Sequence, residues 1–506
     1  MNVRNEQTVS LWMNVEVASD APRLTKDERT DVVIVGSGIA GLSIAYELSQ
    51  QGVDVVVVDR AAIASGMSAR TSGNLKSMSD DTFESLIKMR GLKGAKTFYA
   101  SHAAAIDRIE AVQKDEGIAC NFRRVNGYLF PDPNKDSKDL TSEFDATRKV
   151  GMEIRRHKWL SFEGLSDVSC LRYPHQATFH PLRYLRGVAK AITARGGRLY
   201  ANTTVLQVEE RGSSVEVKTQ GGGKILAGRA VVATNSPIND RVALHTKQAP
   251  YRTYAMVLTI PKGSIEDALY WDTLDPYHYV RLQPGPGGAD YLIVGGADHK
   301  TGEADDADIR FEAIEAWIRA LLPALGKVTH RWSGQILNPI DYAAFIGRNP
   351  GNENVFVHTG DSGQGLTHGV VGGLLLSKLI SGGKSDWADF YEPSRKTVGA
   401  AQNFITENVT AVKNFAEYLA PGELKSVNEL KPGHGAIIRE GLTKVAAYRD
   451  ENGKLYRRSA KCTHVGCHVH WNSLERCWDC PCHGSHFAVD GTALNGPAVS
   501  PLETLD

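Results

Sequence analysis

Cysteine is scarce and unevenly placed. The chain has seven in 506 residues, and five of them fall between Cys462 and Cys482. That distribution excludes a disulfide framework spread over the fold and points to one local site. Neither sign of charge is in excess. Lys and Arg number 58, Asp and Glu number 58, and no block of like charge stands out, so nucleic acid is not expected as a partner. Long hydrophobic runs are missing too. The longest candidate, around Val370–Ile380, is short and carries Gly, Ser and Lys, so no membrane span is expected. The N-terminal region has neither a basic-then-apolar secretion pattern nor a twin-arginine pair, and a cytoplasmic protein is the expectation. Finally, the chain is too long for one hydrophobic core, so two or three domains are expected.

Asp31–Val35 is a continuous apolar run, as a buried parallel strand requires. Gly36-Ser37-Gly38-Ile39-Ala40-Gly41 follows and opens a helical pattern to about Gln51; Val53–Val58 is a second buried strand ending at Asp59. This is the dinucleotide fingerprint in its required context. Gly36 makes the tight turn, Gly38 lets the backbone approach a pyrophosphate, and Gly41 lets helix and strand pack closely. The helix N-terminus offers N–H groups and a positive dipole end to that pyrophosphate. Asp59 is placed to accept hydrogen bonds from the adenosine ribose. The fingerprint alone does not separate NAD from FAD. It occurs once, so a separate NAD(P)H domain is not evident.

Near the C-terminus, Cys462-Thr463-His464-Val465-Gly466-Cys467 and Trp478-Asp479-Cys480-Pro481-Cys482-His483-Gly484-Ser485 form two Cys-and-His half-sites in short Gly-bearing loops. Two thiolates and two imidazoles are what a Rieske [2Fe–2S] centre needs. A structural zinc ion also takes Cys₂His₂, but it requires no Gly-Cys at 466–467, no second Cys at 482 and no Gly-Ser after the last His.

These loops, with Phe487, Asp490-Gly491 and Gly496-Pro497-Ala498 after them, closely resemble Rieske domains. The resemblance implies Cys462, His464, Cys480 and His483 as cluster ligands and a Cys467–Cys482 disulfide; Cys477 is left as a plain thiol. The rest of the chain resembles the D-amino-acid-oxidase-like superfamily, and more narrowly the bacterial FAD-dependent oxidoreductases with a C-terminal Rieske domain. Trp332-Ser333-Gly334-Gln335, Phe345-Ile346-Gly347, His299-Lys300-Thr301-Gly302 and Trp471-Asn472 fit that group. The resemblance implies FAD. Asp59 and Arg60 would meet its adenosine end, with Val205 on the adenine side and Thr234 at the end of a nearby strand. The loop holding Ser65, Arg70, Thr71, Ser72, Gly73 and Asn74 would lie along the pyrophosphate and isoalloxazine. Gly360, Asp361, Gly363 and Gly365 would reach the ribityl-phosphate region. The helix opening at Leu366, Thr367 and His368 would point its dipole at the flavin and favour the anionic reduced form. No cysteine sits in the context of a covalent flavin link, so FAD is expected to be non-covalent. Ile336–Asp341 departs from the family pattern, and specificity is expected to differ there.

The expected architecture is an α/β Rossmann-like FAD-binding domain with an antiparallel-sheet substrate domain and a small all-β Rieske domain. The expected boundaries are a lead-in over 1–30 and the oxidoreductase over 31–393, followed by a helical linker (394–430) and the Rieske domain (431–506). Within the oxidoreductase, 31–90, 171–244 and 331–383 are expected to bind FAD; 91–170 and 245–330 are expected to form the substrate domain. Apolar–polar alternation around Tyr254–Ile260, Tyr277–Leu282 and Tyr291–Val294 carries the sheet. Tyr279 and Arg281 share a strand face. Arg281 there is either a clamp for a substrate carboxylate or a surface residue of a half-exposed strand. The expected function is oxidation of a small amine or amino acid by hydride transfer to FAD. Electrons would leave through the cluster to a protein or quinone acceptor. The alternatives are a reductase or monooxygenase fed by the cluster, and a redox sensor or electron-transfer protein.

Overall fold

The computed structural model describes residues 6–131, 138–165, 168–239 and 244–505. Its first strand, β1 (Glu28–Val35), leads into α1 (Ile39–Gln50) and β2 (Val55–Val58). β2 and the second half of β1, residues 32–35, are wholly apolar because both faces are covered there. Val32, Ile34, Val55 and Val57 join one core, while Val33, Val35, Val56 and Val58 join another on the opposite side. Parallel pairing continues from β1 to Lys224–Val232 and on to Val355–Thr359, and from β2 to Arg198–Tyr200, giving an eight-stranded sheet. The helix Gly365–Ile380 packs on α1.

A second, nine-stranded sheet is antiparallel except for one pair, Arg123–Phe130 with Ala268–Asp272. It draws on more of the chain than 91–170 and 245–330. Asn74–Leu75, Cys170–Thr178 and Val328–Pro339 are also strands of it. Along Gln248–Pro261, the residues Tyr254, Met256, Leu258 and Ile260 bury against Phe311, Ile314 and Ile318 of the helix Ala307–Leu321. Ala255 and Val257 face the main core.

The linker expected as helical over 394–430 is not yet helical at Arg395. That arginine is anchored instead, with Nε and Nη2 on Asp341 at 2.8 and 2.7 Å, and the helix runs Ala401–Ala416. The C-terminal part has a three-stranded and a four-stranded antiparallel sheet around its own core, in which Trp471 and Trp478 meet edge-on at 4.9 Å. Glu423 N already bonds Ile437 O at 2.7 Å, so packing on these sheets begins before residue 431. Among the described residues no helix is long and apolar enough to cross a membrane.

The residues expected as a lead-in are built into the body. Trp12 is fully buried and its Nε1 donates to Thr71 O at 2.6 Å. Ser10 Oγ donates to Ala69 O at 2.5 Å.

Candidate functional site

One cavity runs between the two large sheets. Its wall reaches from the first strand–turn–helix unit to Leu494 and Asn495 of the C-terminal domain. The fingerprint residues Gly36, Ser37, Gly38, Ile39 and Ala40 form part of its wall. Gly41 lies behind them. A Cβ on it would fall 1.9 Å from Gly36 O, so the helix can sit this close to the turn only with glycine there. Gly38 offers no side chain to cap α1, and Ile39 N donates instead to Ser68 Oγ at 2.9 Å.

Asp59 and Arg60 are in the wall with Val205 and Thr234. Asp59 already holds the fingerprint turn, accepting from Ser37 N at 2.8 Å, Ser37 Oγ at 2.6 Å and Ala61 N at 3.0 Å. Arg60 reaches the C-terminal domain, donating to Ala493 O at 3.2 Å; Leu494 and Asn495 of that domain complete the wall beside it. Ser65, Arg70, Thr71, Ser72, Asn74, Asp361, Gly363, Gly365, Leu366 and Thr367 also line the cavity; Gly73, Gly360 and His368 do not. His368 is turned into the core. Its Nδ1 bonds Asp361 O at 2.9 Å and its ring meets His102 edge-on at 4.4 Å. Polar atoms of the wall that are buried without a hydrogen-bond partner among the described residues include Ser65 Oγ, Asn74 Oδ1, Asn235 Nδ2 and Gln364 Oε1. Buried polar groups are rarely left so, and these fit a polar cofactor lying along the cavity.

Both readings of Arg281 fail. It is fully buried, so it is not a surface residue, and its guanidinium is already bound. Nη1 donates to Gly73 O at 2.6 Å, Nε donates to Leu282 O at 3.0 Å, and Nη2 bonds Gln283 Oε1. Arg281 therefore braces the Ser72–Gly73 loop and does not line the cavity. Tyr279 does line it, with Tyr277 and Thr253 from the same sheet. Tyr277 donates its hydroxyl proton to Asp298 Oδ2 at 3.2 Å, and burial pushes the Asp298 carboxyl up to about 6. Ile336 and Leu337, from the stretch that departs from the family pattern, are in the wall.

The two Cys-and-His loops fold alike. Gly466 N bonds Cys462 O at 2.9 Å and Gly484 N bonds Cys480 O at 3.0 Å. Cys467 and Cys482 are disulfide-bonded, which leaves the buried Cys462 and Cys480 as thiols. The His464 and His483 rings stand 5.0 Å apart at 87°, and His483 Nδ1 is buried without a hydrogen-bond partner among the described residues. Two buried thiols and two neighbouring imidazoles on paired loops are a donor set that fits a [2Fe–2S] cluster of Rieske type. Cys477 is buried, 3.4 Å from Asp479 Oδ1.

The tip of these loops faces the cavity body. His245, on a short turn preceding Gln248–Pro261, lies 4.9 Å from the His464 ring and 5.3 Å from that of His483. Gln335 lines the cavity and donates from Nε2 to Gly484 O at 2.9 Å. A Cβ on Gly484 would lie 2.5 Å from that nitrogen, so glycine is what permits the contact.

Around this contact runs a buried ionic network that no local sequence signal marks. Glu6 pairs with Arg70 at 3.0 Å and with His486 at 2.9 Å. Arg70 pairs with Glu475 at 3.0 Å, and Arg252 with Asp479 at 2.8 Å. Ser333 Oγ links the two halves, donating to Glu475 at 2.6 Å and accepting from Arg252 at 2.8 Å. Burial pushes the Glu6 carboxyl up, but the Arg70, His486 and Arg252 charges outweigh it and hold the group well below the usual range.

Comparison with known proteins follows the same division. Residues 31–379 match the FAD dependent oxidoreductase family, and residues 421–506 match the Rieske [2Fe-2S] domain. The chain is 30% identical to YhfW of Bacillus subtilis, named as a Rieske 2Fe-2S iron-sulfur protein, over 99% of this chain and 98% of that one. It is 27% identical to the gamma-glutamylputrescine oxidoreductase of Escherichia coli, over 70% of this chain and 84% of that protein. In structure it is similar to the glycine oxidase of Geobacillus kaustophilus, with a TM-score of 0.62, 18% identity and coverage of 73% of this chain and 99% of the other. At that identity the similarity speaks for the fold.

Proposed function

Because the chain belongs to the FAD-dependent oxidoreductase family and ends in a Rieske [2Fe-2S] domain, we propose that it oxidises a small amine or amino acid and passes the electrons through the cluster to an external acceptor. FAD supplies the two-electron acceptance, and the cluster supplies one-electron transfer at a potential that His ligation raises to roughly −150 to +300 mV. The observation that carries the reading is Gln335. One side chain is both wall of the flavin cavity and hydrogen-bond partner of the loop that holds His483.

The chain's own residues would do the following. Ser65, Asn74, Asn235 and Gln364 offer buried polar atoms to the cofactor. The N-terminus of Gly365–Ile380 opens into the cavity and favours negative charge there. Thr253, Tyr277 and Tyr279 roof the substrate side. Amine oxidation releases protons, and the Tyr277–Asp298 pair is a place to hold one, at Asp298 Oδ2. Arg281 is bound to backbone carbonyls, so recognition of a substrate carboxylate would fall to other groups. Lys76 is in the wall, ion-paired with Asp80.

The test is an anaerobic titration of cluster-loaded protein with amines and amino acids, following flavin bleaching optically and the reduced cluster by EPR. Bleaching by one compound, followed by growth of the cluster signal, is the expected result. No bleaching by any of them, with NAD(P)H or reduced ferredoxin filling the cluster first, would reverse the direction of flow and end the amine assignment.

A further inference from the structure

Apart from both redox sites, the linker helix and the Rieske domain bring together three metal-ligating side chains. Glu417 follows the helix Ala401–Ala416; His468 comes after the disulfide Cys467, and His470 starts the strand His470–Asn472. Glu417 Oε2 is 3.0 Å from His470 Nε2 and 3.8 Å from His468 Nδ1. Zinc–nitrogen and zinc–oxygen bonds of about 2.0–2.2 Å put tetrahedral ligand atoms roughly 3.3 Å apart, and the two distances straddle that value. The His468 side chain is 3% exposed, and neither of its ring nitrogens has a hydrogen-bond partner among the described residues. An imidazole so buried normally bonds something. Burial pushes its pKa down to about 4, which leaves it neutral near pH 7, the form that ligates.

The scaffold is fixed from both sides. Asn414 Oδ1 accepts from His468 N at 2.6 Å, and its Nδ2 donates to His468 O at 3.2 Å. Tyr418 donates its hydroxyl to Gly466 O at 2.8 Å. An isolated Glu417–His470 ion pair accounts for those two residues but not for His468. After burial, His470 and then Lys444 weigh against protonation of His468, and Glu417 favours it; the Lys444 ammonium is directed at Pro421 O, 2.9 Å away.

We propose that Glu417, His468 and His470 bind one divalent cation of the zinc class, with a fourth position open, clamping the linker to the disulfide side of the Rieske domain. Imidazole with carboxylate suits zinc and its first-row neighbours.

The test uses full-length, cluster-loaded protein stripped of loosely held metal with a chelator. Zinc chloride is titrated calorimetrically, bound zinc is counted by elemental analysis, and the Rieske EPR signal is recorded throughout. Glu417→Gln and His470→Asn are compared with the parent; Glu417 is part-exposed, so its variant is expected to fold. The expected result is one zinc per chain, an affinity about a hundredfold weaker in each variant, and an unchanged cluster spectrum. Absence of uptake by the parent, uptake by either variant with the parent's affinity, or uptake that erases the Rieske signal would each overturn the proposal.

Discussion

The wall of the flavin cavity draws on residues from Glu6 to Asn495, whereas the cluster loops lie within residues 462–484 and share one internal bonding pattern. The first site exists only when distant segments have docked. The second is defined locally, by two turns, a disulfide and short strands. The seam between them is the buried network from Glu6 to Asp479, which takes Glu6 and Arg70 from the cavity wall and Asp479 from the cluster loops. A redox protein of this kind is therefore as strong as its seam. Damage there should separate the two sites, while damage inside either should leave the other intact.

The largest expected effect comes from breaking the seam. Arg252→Met leaves Asp479 buried without its cation, at a cost of about 3–5 kcal/mol. Urea unfolding followed by flavin fluorescence and cluster absorption together should then show two separate transitions. A single transition at the parental midpoint would mean that the seam does not hold the domains together. Next comes the disulfide. Its partners are separated by 15 in sequence, and replacing both by serine should remove about 3 kcal/mol from the cluster site alone. The EPR signal should fail at lower urea while flavin binding does not change, and equal loss of both would contradict the locality of that site.

Acid should act on the carboxylates. Burial pushes Asp341 up, but Arg395 and Arg90 outweigh it and hold it at about 2. A native pKa below the unfolded value of roughly 3.9 means stability that is complete above that value and lost as pH falls toward about 2. Glu6 is depressed in the same sense. Below about pH 4 the unfolding midpoint should fall, with Asp341→Asn flattening that part of the fall; an unchanged profile in that variant would remove Asp341 from the account. The smallest effect is expected for Gln335→Leu. The lost hydrogen bond to Gly484 O costs about 1 kcal/mol, and in stopped-flow reduction the cluster should fill more slowly relative to flavin bleaching. An unchanged ratio of the two rates would place the electron route elsewhere.

Much of this was legible in the sequence wherever the determinants are close together. The fingerprint could be read because its glycines, strands and terminal Asp59 lie in one short unit. The cluster loops could be read because each Cys and His pair sits in one turn. The seam could not, because Glu6 and His486, or Gln335 and Gly484, are brought together only by the finished fold. Arg281 shows another limit. Strand alternation placed it on a face with Tyr279, but pattern does not reveal that backbone carbonyls of another loop occupy its guanidinium. His368 likewise opens a helix of the cavity wall, yet burial against His102 turns its ring away.

The strap formed by Glu6, Thr8, Ser10 and Trp12 has a consequence for how the protein is made. These residues leave the ribosome well before their partners, since Thr8 bonds Glu475 and Glu6 bonds His486. Domains fold in order of synthesis, so the flavin chamber stays unsealed until the Rieske domain appears. The same holds for the His464 and His483 rings, which meet His245 only once the two parts have docked.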